Sequence, residues 1–427
     1  MSGYLPRLVD AELSALLRDL PAVAVNGPKA VGKTASAQRI ARTTFRLDEP
    51  AVAEVVNADP TRVRSATPPV LLDEWQRQPT LWDAVRRWVD DGADPGTFVL
   101  TGSAAPRDAA VHSGAGRIVQ IRMRPLSLAE RALHSPTVSL AALLTGTPPI
   151  AGECALRLAD YVHEITSSGF PGIRTLPPNA RRRQLDGYLD NIIEREFADQ
   201  GLLIRAPDTL RRWLRAYAAA TGTTASYTAI LDGATAGESY KPAKTTTIAY
   251  RDVLHSLWLL DPVEAWNPGG ATLGRLGHAP KHFLADPALA ARLLLLDDDD
   301  LLTGAAEADP VSRAVAHGRG TVLGRLFESL VALGLHSYAA HAEASLRHLR
   351  TRNGDHEVDF VVQRGQRIVA IETKLAETVS DADVRHLNWL RQHMGPTHIE
   401  CVVVTTGRSA YRRRDGVAVV PAGLLGP

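Results

Sequence analysis

The sequence has 427 residues, of which 45% are hydrophobic and 22% charged, which is typical of globular domains and excludes a disordered or fibrous chain. The formal net charge of +1 excludes a strongly basic protein, so a nucleic-acid-binding surface would have to be a local patch. Cys154 and Cys401 lie far apart and predict neither a disulfide framework nor a cysteine-based zinc site. With no apolar signal segment and no run near the ~18 apolar residues of a membrane span, we expect a cytoplasmic protein without a membrane partner.

The first motif follows a short apolar strand at residues 22–26 and precedes a segment of helical composition. Its eight residues fit the pattern G-x-x-x-x-G-K-[ST] of a phosphate-binding loop, and a chance glycine turn is the weaker alternative. Glycines let backbone N–H groups face an anion, the lysine reaches the outer phosphates, and the threonine hydroxyl can ligate Mg²⁺. The predicted ATP-binding residues are Gly27, Pro28, Lys29, Ala30, Val31, Gly32, Lys33 and Thr34.

Two further apolar strands, at residues 69–72 and 97–100, end in polar side chains. Asp73 is expected to hold Mg²⁺ together with Thr34 of the loop, and Glu74 to orient the attacking water. Thr101 is expected to contact the γ-phosphate or its water, although a polar turn would give the same pattern. Because parallel strands end at one edge of a sheet, these residues are predicted to line one crevice of a parallel α/β domain.

The middle of the chain indicates two regions. Residues 146–206 suggest a helical linker, whose triple arginine Arg181-Arg182-Arg183 is more typical of a solvated helix face than of a phosphate contact. Residues 207–290 show three short helices and an extended pair, the order of a winged helix-turn-helix. Such folds bind DNA or dock proteins, and both roles stay open. Candidate phosphate contacts are Lys241, Lys244, Thr245, Thr246, Thr247, Tyr250 and Arg251.

The last segment, residues 291–427, carries a second group of acids. A helix with Glu328 precedes a strand with Asp359 and a strand that ends in Glu372-Thr373-Lys374. Carboxylates on adjacent strands can share a divalent metal, and strand alternation places Glu372 and Lys374 on one face, where the lysine can support a water nucleophile. This is the pattern of PD-(D/E)XK nucleases, with Asp359 and Glu372 as candidate metal ligands and Glu328 as a third acid. A domain of this kind can also be retained for binding alone.

Several motifs together resemble, in chain order, the prokaryotic AAA-type ATPases that carry a C-terminal domain of unknown function. They are Tyr4-Leu5-Pro6-Arg7, the phosphate loop, Leu47-Asp48, Leu72-Asp73-Glu74-Trp75-Gln76, Leu100-Thr101-Gly102-Ser103 and Gly116-Arg117 through Pro125-Leu126-Ser127. The resemblance spans essentially the whole chain and implies ATP hydrolysis, with Gln76 and Thr101 near the γ-phosphate. It also implies that Arg117 is an arginine finger or a sensor, for which an ordinary surface arginine is an equal alternative.

The predicted fold class is α/β, in four parts. An AAA-type P-loop parallel-sheet domain (1–145) precedes the helical linker (146–206), the winged-helix region (207–290) and a PD-(D/E)XK-like α/β domain (291–427). The predicted function is a Mg²⁺-dependent ATPase whose nucleotide state repositions a nucleic-acid-binding or nuclease-like C-terminal half. Expected partners are ATP, DNA or RNA, and a second copy or another protein. The alternative is a nucleotide-dependent regulatory or toxin-antitoxin/defence protein whose C-terminal domain is catalytically silent.

Overall fold

Short apolar strands build a parallel sheet in the N-terminal part of the chain. The structure, a computed structural model, describes residues 4–104, 115–236, 242–267, 279–305, 320–394 and 399–427, together with Gly277, Val311 and Val315. The five strands pair in the order β2-β3-β4-β1-β5, all parallel, which confirms the predicted parallel α/β domain. They are β1 Ala22–Asn26, β2 Thr43–Arg46, β3 Val70–Asp73, β4 Phe98–Gly102 and β5 Val119–Arg122.

Helices cover both faces of this sheet. They are α1 Leu8–Asp19, α2 Lys33–Gln38, α3 Pro50–Ala58, α4 Thr61–Arg64 and α5 Thr80–Asp90. On one face, Trp82, Val85 and Trp88 of α5 pack against the sheet in a core of its own, because they recur at helical spacing. The opposite face, with Val23 and Leu71, joins a core that continues through the rest of the chain.

The middle of the chain is mostly helical. Its α-helices are α6 Leu140–Thr145, α7 Leu158–Thr166, α8 Pro171–Arg174, α9 Pro178–Asn191, α10 Phe197–Asp199, α11 Pro207–Ala219, α12 Tyr227–Ala234, α13 Lys244–Ser256, α14 Pro287–Leu293 and α15 Asp298–Thr303. A π-helical turn, Ile192–Glu196, lies between α9 and α10. α13 ends at Ser256, because the chain turns at Trp258, whose φ is 62°.

The extended pair predicted after α13 consists of two antiparallel bridges, Leu260 with Leu284 and Val263 with Lys281. Two of the candidate phosphate contacts on α13, Thr247 and Tyr250, are buried, so burial against the core excludes them from contact with a phosphate backbone. Lys241 lies outside the described residues. The winged-helix interpretation stays a prediction.

A seven-stranded mixed sheet forms the C-terminal part, in the order β7-β12-β13-β11-β10-β9-β8. The helix with Glu328 and the predicted strands and second helix occur in the expected order, while the nuclease-like interpretation stays a prediction.

No described helix has both the length and the apolar run that crossing a bilayer requires. The strands and α-helices not yet given, among them β6 and β14 of a separate two-stranded sheet, are β6 Val138–Ser139, β7 Gly152–Glu153, α16 Val322–His341, β8 Ser345–Arg350, β9 Glu357–Arg364, β10 Arg367–Lys374, α17 Arg385–Met394, β11 Ile399–Thr405, β12 Ser409–Arg412, β13 Ala418–Pro421 and β14 Leu425–Gly426.

Strand pairing crosses the boundaries predicted from composition. β7, from the predicted linker, pairs with β12 of the last sheet, and β6, from the predicted first domain, pairs with β14. One hydrophobic core runs from Val9 of α1 to Leu425 of β14. The parts of this chain therefore share one interior.

A buried carboxylate, Asp261, joins the three parts. Arg122 and Arg124 at the end of β5 pair with it at 2.9 and 2.6 Å, and His336 of α16 lies 3.6 Å away. Burial alone would raise the pKa of Asp261, but the two guanidinium groups lower it well below its usual value. Burial lowers the pKa of His336 to about 3, so this imidazole is neutral.

We predict that Asp261→Asn lowers the free energy of unfolding by about 3–5 kcal/mol at neutral pH, because two largely covered arginines lose their buried counter-ion. A carboxyl whose pKa is depressed in the folded state stabilises above its unfolded pKa of about 3.9, and this stability is lost as pH falls below that value. Denaturant unfolding of the native protein between neutral and acidic pH should show this loss, and Asp261→Asn should lack it.

The matched control is Asp381→Asn, which removes an exposed partner of Arg413 and should change stability by less than about 0.5 kcal/mol. Equal stability of Asp261→Asn and the native protein at neutral pH would contradict this account.

Candidate functional site

The phosphate loop connects the end of β1 to the start of α2. Gly27 has a φ of +154°, and a Cβ atom there would lie 2.2 Å from the backbone oxygen of Met123, so only glycine fits. Gly32, the N-cap residue of α2, has a φ of +105°, in the region that favours glycine. No described side chain caps this helix. The loop therefore presents backbone N–H groups to an anion at the helix N-terminus.

Lys33 lies inside the loop. Its buried Nζ donates to the carbonyl oxygens of Gly27 and Pro28, both at 2.9 Å. Burial lowers the pKa of Lys33 to about 8, against the opposite effect of Glu74 and Asp73. Phosphate oxygens are stronger acceptors than these carbonyl oxygens, so a bound nucleotide would compete for the ammonium group.

Asp73 is the point where the loop and the third strand meet. Its Oδ1 accepts hydrogen bonds from the hydroxyls of Thr34, at 2.7 Å, and Thr101, at 2.5 Å. The parallel register of β3 and β4 sets Asp73 beside Thr101. The structure thus brings the two predicted Mg²⁺ ligands together, and it gives Thr101 a further contact, which orients the Asp73 carboxylate.

The residues after Asp73 form a small polar network. Glu74 has a φ of 57°, which is uncommon outside glycine, and its carboxylate accepts from Gln76 Nε2. The same Nε2 donates to Ser103 Oγ at 3.2 Å, while Gln76 Oε1 is buried without a hydrogen-bond partner among the described residues. A buried polar atom without a partner at this edge fits a site that receives water or substrate.

Arg117 lies at the opposite edge of the sheet from the phosphate loop. β1 and β5 run parallel, and Arg117 precedes β5, whereas the loop follows β1. Four strand residues at ~3.3 Å each therefore separate the two edges. The exposed guanidinium group pairs with Asp90 at 2.7 Å. Within one chain this topology keeps Arg117 away from the phosphate loop, so its role as an arginine finger stays a prediction that requires a neighbouring subunit.

Arg7 supports the loop in a way that the motifs did not indicate. Its buried guanidinium group donates to the backbone oxygen of Val31 at 2.9 Å and pairs with Glu130 at 3.0 Å. The sequence analysis named Arg7 only as part of the family resemblance. A single arginine near an N-terminus carries no local signal of such a contact.

Residues of α9 and the π-helical turn cover the loop. Lys29 pairs with Glu196, which also accepts from Asn191 Nδ2 at 3.0 Å, and the Tyr188 hydroxyl donates to the Lys29 carbonyl oxygen at 3.3 Å. Together with Ser103 these residues line a cavity of about 100 Å³. π-Helical turns are frequent at functional sites. The predicted linker thus contacts the phosphate loop directly.

The predicted residues of the last domain lie together at β9 and β10. The Oδ2 atom of Asp359 accepts from the backbone N and the hydroxyl of Thr373, both at 2.9 Å, and Lys374 lies 3.4 Å from Glu372. Burial, together with the Asp359 charge, raises the pKa of Glu372 well above its usual value, against the effect of Lys374.

A residue from outside the motif completes this group. The Lys281 ammonium lies 2.7 Å from Glu328 and 2.9 Å from Asp359. Among the described residues, no group of three or more His, Cys, Asp or Glu side chains is arranged to hold a metal ion.

Family comparisons agree with the N-terminal site. Residues 19–132 match the family model described as an AAA domain. Residues 158–300 and 323–425 match two models described as domains of unknown function, DUF8612 and DUF4143. Sheet, loop and family match together support an AAA-type, ATPase-like domain in the N-terminal part, in agreement with that part of the prediction. Neither of the other two descriptions names a nuclease or a winged helix.

Two relatives that match almost the whole chain are described as uncharacterized. Uncharacterized protein Rv2008c of Mycobacterium tuberculosis and uncharacterized protein Mb2031c of Mycobacterium bovis are each 28% identical over 423 residues, which cover 97% of this chain and 83% of the relative. A Walker-type ATPase of Pyrococcus abyssi, PABY2304, has 14% identity and a TM-score of 0.38, covering 68% of this chain and 96% of that chain. The ORC2 protein of Aeropyrum pernix, in ADPNP-ADP complexes, has 16% identity and a TM-score of 0.31, covering 72% and 98%.

We predict that Thr101→Val lowers ATP turnover about 10- to 100-fold, because the Asp73 carboxylate loses the hydroxyl that orients it. The Mg²⁺ concentration for half-maximal turnover should rise, while nucleotide binding without Mg²⁺ stays unchanged. Phosphate release measured across a Mg²⁺ series tests this.

Thr97→Val is the matched control, since the Thr97 hydroxyl, just before β4, contacts only the Asp94 carbonyl oxygen among the described residues. If both variants changed turnover and Mg²⁺ dependence alike, the contact with Asp73 would not be the cause.

Proposed function

We propose that this protein is a Mg²⁺-dependent ATPase whose nucleotide state is transmitted from the phosphate loop to the middle and last parts of the chain. The observation that carries the proposal is the contact of Thr34 with Asp73 beside the loop that holds Lys33. A hydroxyl and a carboxylate at this spacing fit Mg²⁺, which is commonly held by one or two protein oxygens together with waters and phosphates. The ion would neutralise charge on the phosphates when bound.

The roles of the chain's own residues follow from their positions. Backbone N–H groups of the loop and Lys33 bind the phosphates, and Thr101 orients Asp73. Glu74, next to Asp73 and hydrogen-bonded by Gln76, is placed to orient the water that attacks the γ-phosphate. Ser103 and Gln76 hold that part of the site in position.

Two contacts support transmission of the nucleotide state. The ion pair of Lys29 with Glu196 ties the loop to the π-helical turn, and the pairs of Arg122 and Arg124 with Asp261 tie the end of β5 to the chain after α13. Phosphates bound in the loop would compete with Glu196 for Lys29. Release of Glu196 would then loosen α9 from the loop.

We predict that Lys33→Ala abolishes ATP binding, because it removes a phosphate contact. Glu74→Gln should retain binding, because it spares the phosphate contacts, and should lower turnover at least about 100-fold, because the attacking water loses its base. Binding of a fluorescent ATP analogue and phosphate release measure the two effects separately. Glu49→Gln, at an exposed partner of Arg46, is the control and should leave both unchanged. Unchanged turnover in Glu74→Gln would indicate a protein that senses nucleotide without hydrolysing it.

For the last domain we propose nucleic-acid binding without cleavage. The order of its elements and the positions of Asp359, Glu372 and Lys374 support a PD-(D/E)XK-like fold, and this fold class associates with nucleic acid. The buried ammonium of Lys281 among its acids argues against a metal there and therefore against metal-dependent cleavage. A nucleotide-regulated binding module of this kind also suits a defence or toxin-antitoxin component.

The expected result is salt-sensitive binding of duplex DNA, with RNA as the comparison, because counterions are released when basic groups meet phosphates. Supercoiled and linear DNA should stay intact with Mg²⁺ or Mn²⁺, with or without ATP. Cleavage by the native protein that Glu372→Ala removes would overturn the non-cleaving assignment. Affinity that does not change with salt would argue against nucleic acid as the partner.

A further inference from the structure

Lys281 occupies the centre of the acidic group in the last domain. Its side chain is 1% exposed, and its ammonium lies 2.7 Å from Glu328, 2.9 Å from Asp359 and 3.5 Å from Glu357. These acids come from α16 and β9, whereas Lys281 belongs to the extended segment that pairs with Val263. One buried cation is thus shared by three carboxyl groups from two elements.

The carboxyl groups that a nuclease would offer to a metal are already engaged. Asp359 Oδ1 accepts from Lys281 Nζ, and Asp359 Oδ2 accepts twice from Thr373, so both oxygens have donors. Glu372 is paired with Lys374. A divalent ion at Asp359 would have to displace Lys281 or lie beside a buried ammonium, which like-charge repulsion disfavours. The residues present therefore do not fit a bound metal while Lys281 is in place.

The backbone holds Lys281 in position. Its N and O atoms exchange 2.9 Å hydrogen bonds with Val263, and His282 donates from its backbone N to Thr223. Burial alone would lower the pKa of Lys281, but Asp359, Glu328 and Glu357 raise it well above its usual value, so the group stays charged. The cation is a fixed part of the fold.

We propose that Lys281 is the resident cation of this centre and takes the place that a divalent metal occupies in metal-dependent nucleases. The ion pairs of this centre then hold the extended segment after α13 against the last domain. No divalent metal binds to these carboxyl groups as long as the segment stays docked. This inference does not depend on ATP hydrolysis.

The experiment is a Mn²⁺ titration of nucleotide-free, full-length protein, followed by electron paramagnetic resonance. Only Mn²⁺ binding that Asp359→Asn removes is assigned to this centre. This criterion distinguishes it from Mn²⁺ bound at the phosphate loop. The native protein and Arg62→Met, which removes an exposed cation of α4, should show no such binding. Lys281→Met should gain one Mn²⁺ site at least about tenfold tighter than any in the native protein, and the double variant with Asp359→Asn should lose it.

Thermal unfolding gives a second readout. The native protein should keep its midpoint in EDTA or Mn²⁺, while Lys281→Met should unfold earlier in EDTA and recover with Mn²⁺. Asp359-dependent Mn²⁺ binding by the native protein, or no gain of a site in a folded Lys281→Met, would overturn the proposal. If Lys281→Met does not fold, the native protein and Lys281→Arg still test the proposal. Asp359-dependent Mn²⁺ binding by either protein would refute it. An inactive ATPase would leave all these outcomes unchanged.

Discussion

Asp261 is a carboxylate buried between two arginines of the AAA-type domain and a helix of the last domain. Moving a carboxylate out of water costs several kcal/mol, and one ion pair at ~4 Å returns about 4 kcal/mol at an effective dielectric constant of 20. Both guanidinium groups act against the desolvation of Asp261 and keep the pKa of its carboxyl group well below the usual value. Because the arginines and Asp261 come from two parts of the chain, their charges are balanced only when these two parts are docked together.

The extended pair that carries Asp261 also carries Lys281. Asp261 donates from its backbone N to Phe283, and Val263 pairs with Lys281, so the two charged side chains stand on one short ribbon. Asp261 of this ribbon contacts the phosphate-loop domain, and Lys281 contacts the acids of the last domain. A displacement of Arg122 or Arg124 would act on Asp261. This residue is two positions before Val263, the bridge partner of Lys281. This ribbon is thus in direct contact with both domains.

Local patterns predicted the parts of the site that one segment supplies. The phosphate loop and Asp73-Glu74 could be found because each is set by a strand end and its next residues. The contact of Thr101 with Asp73 needs the strand register, which local sequence does not contain. The spacing of Arg117 does not tell which edge of the sheet it occupies, which the pairing of β1 with β5 decides. Lys281, in an unremarkable extended segment, acquires its role only from acids that distant elements bring to it.

The pairing of β6 with β14 has a consequence for how the chain is made. Leu140, Leu143 and Leu144 follow β6 directly and belong to the core shared with α16 and β10. On the ribosome the AAA-type sheet can close early, but these leucines stay without their partners until the last strands have been synthesised. Exposed apolar surface of this kind favours misassembly and chaperone binding. The half that carries the phosphate loop therefore emerges first, yet its shared core is completed only when the C-terminal elements have been synthesised.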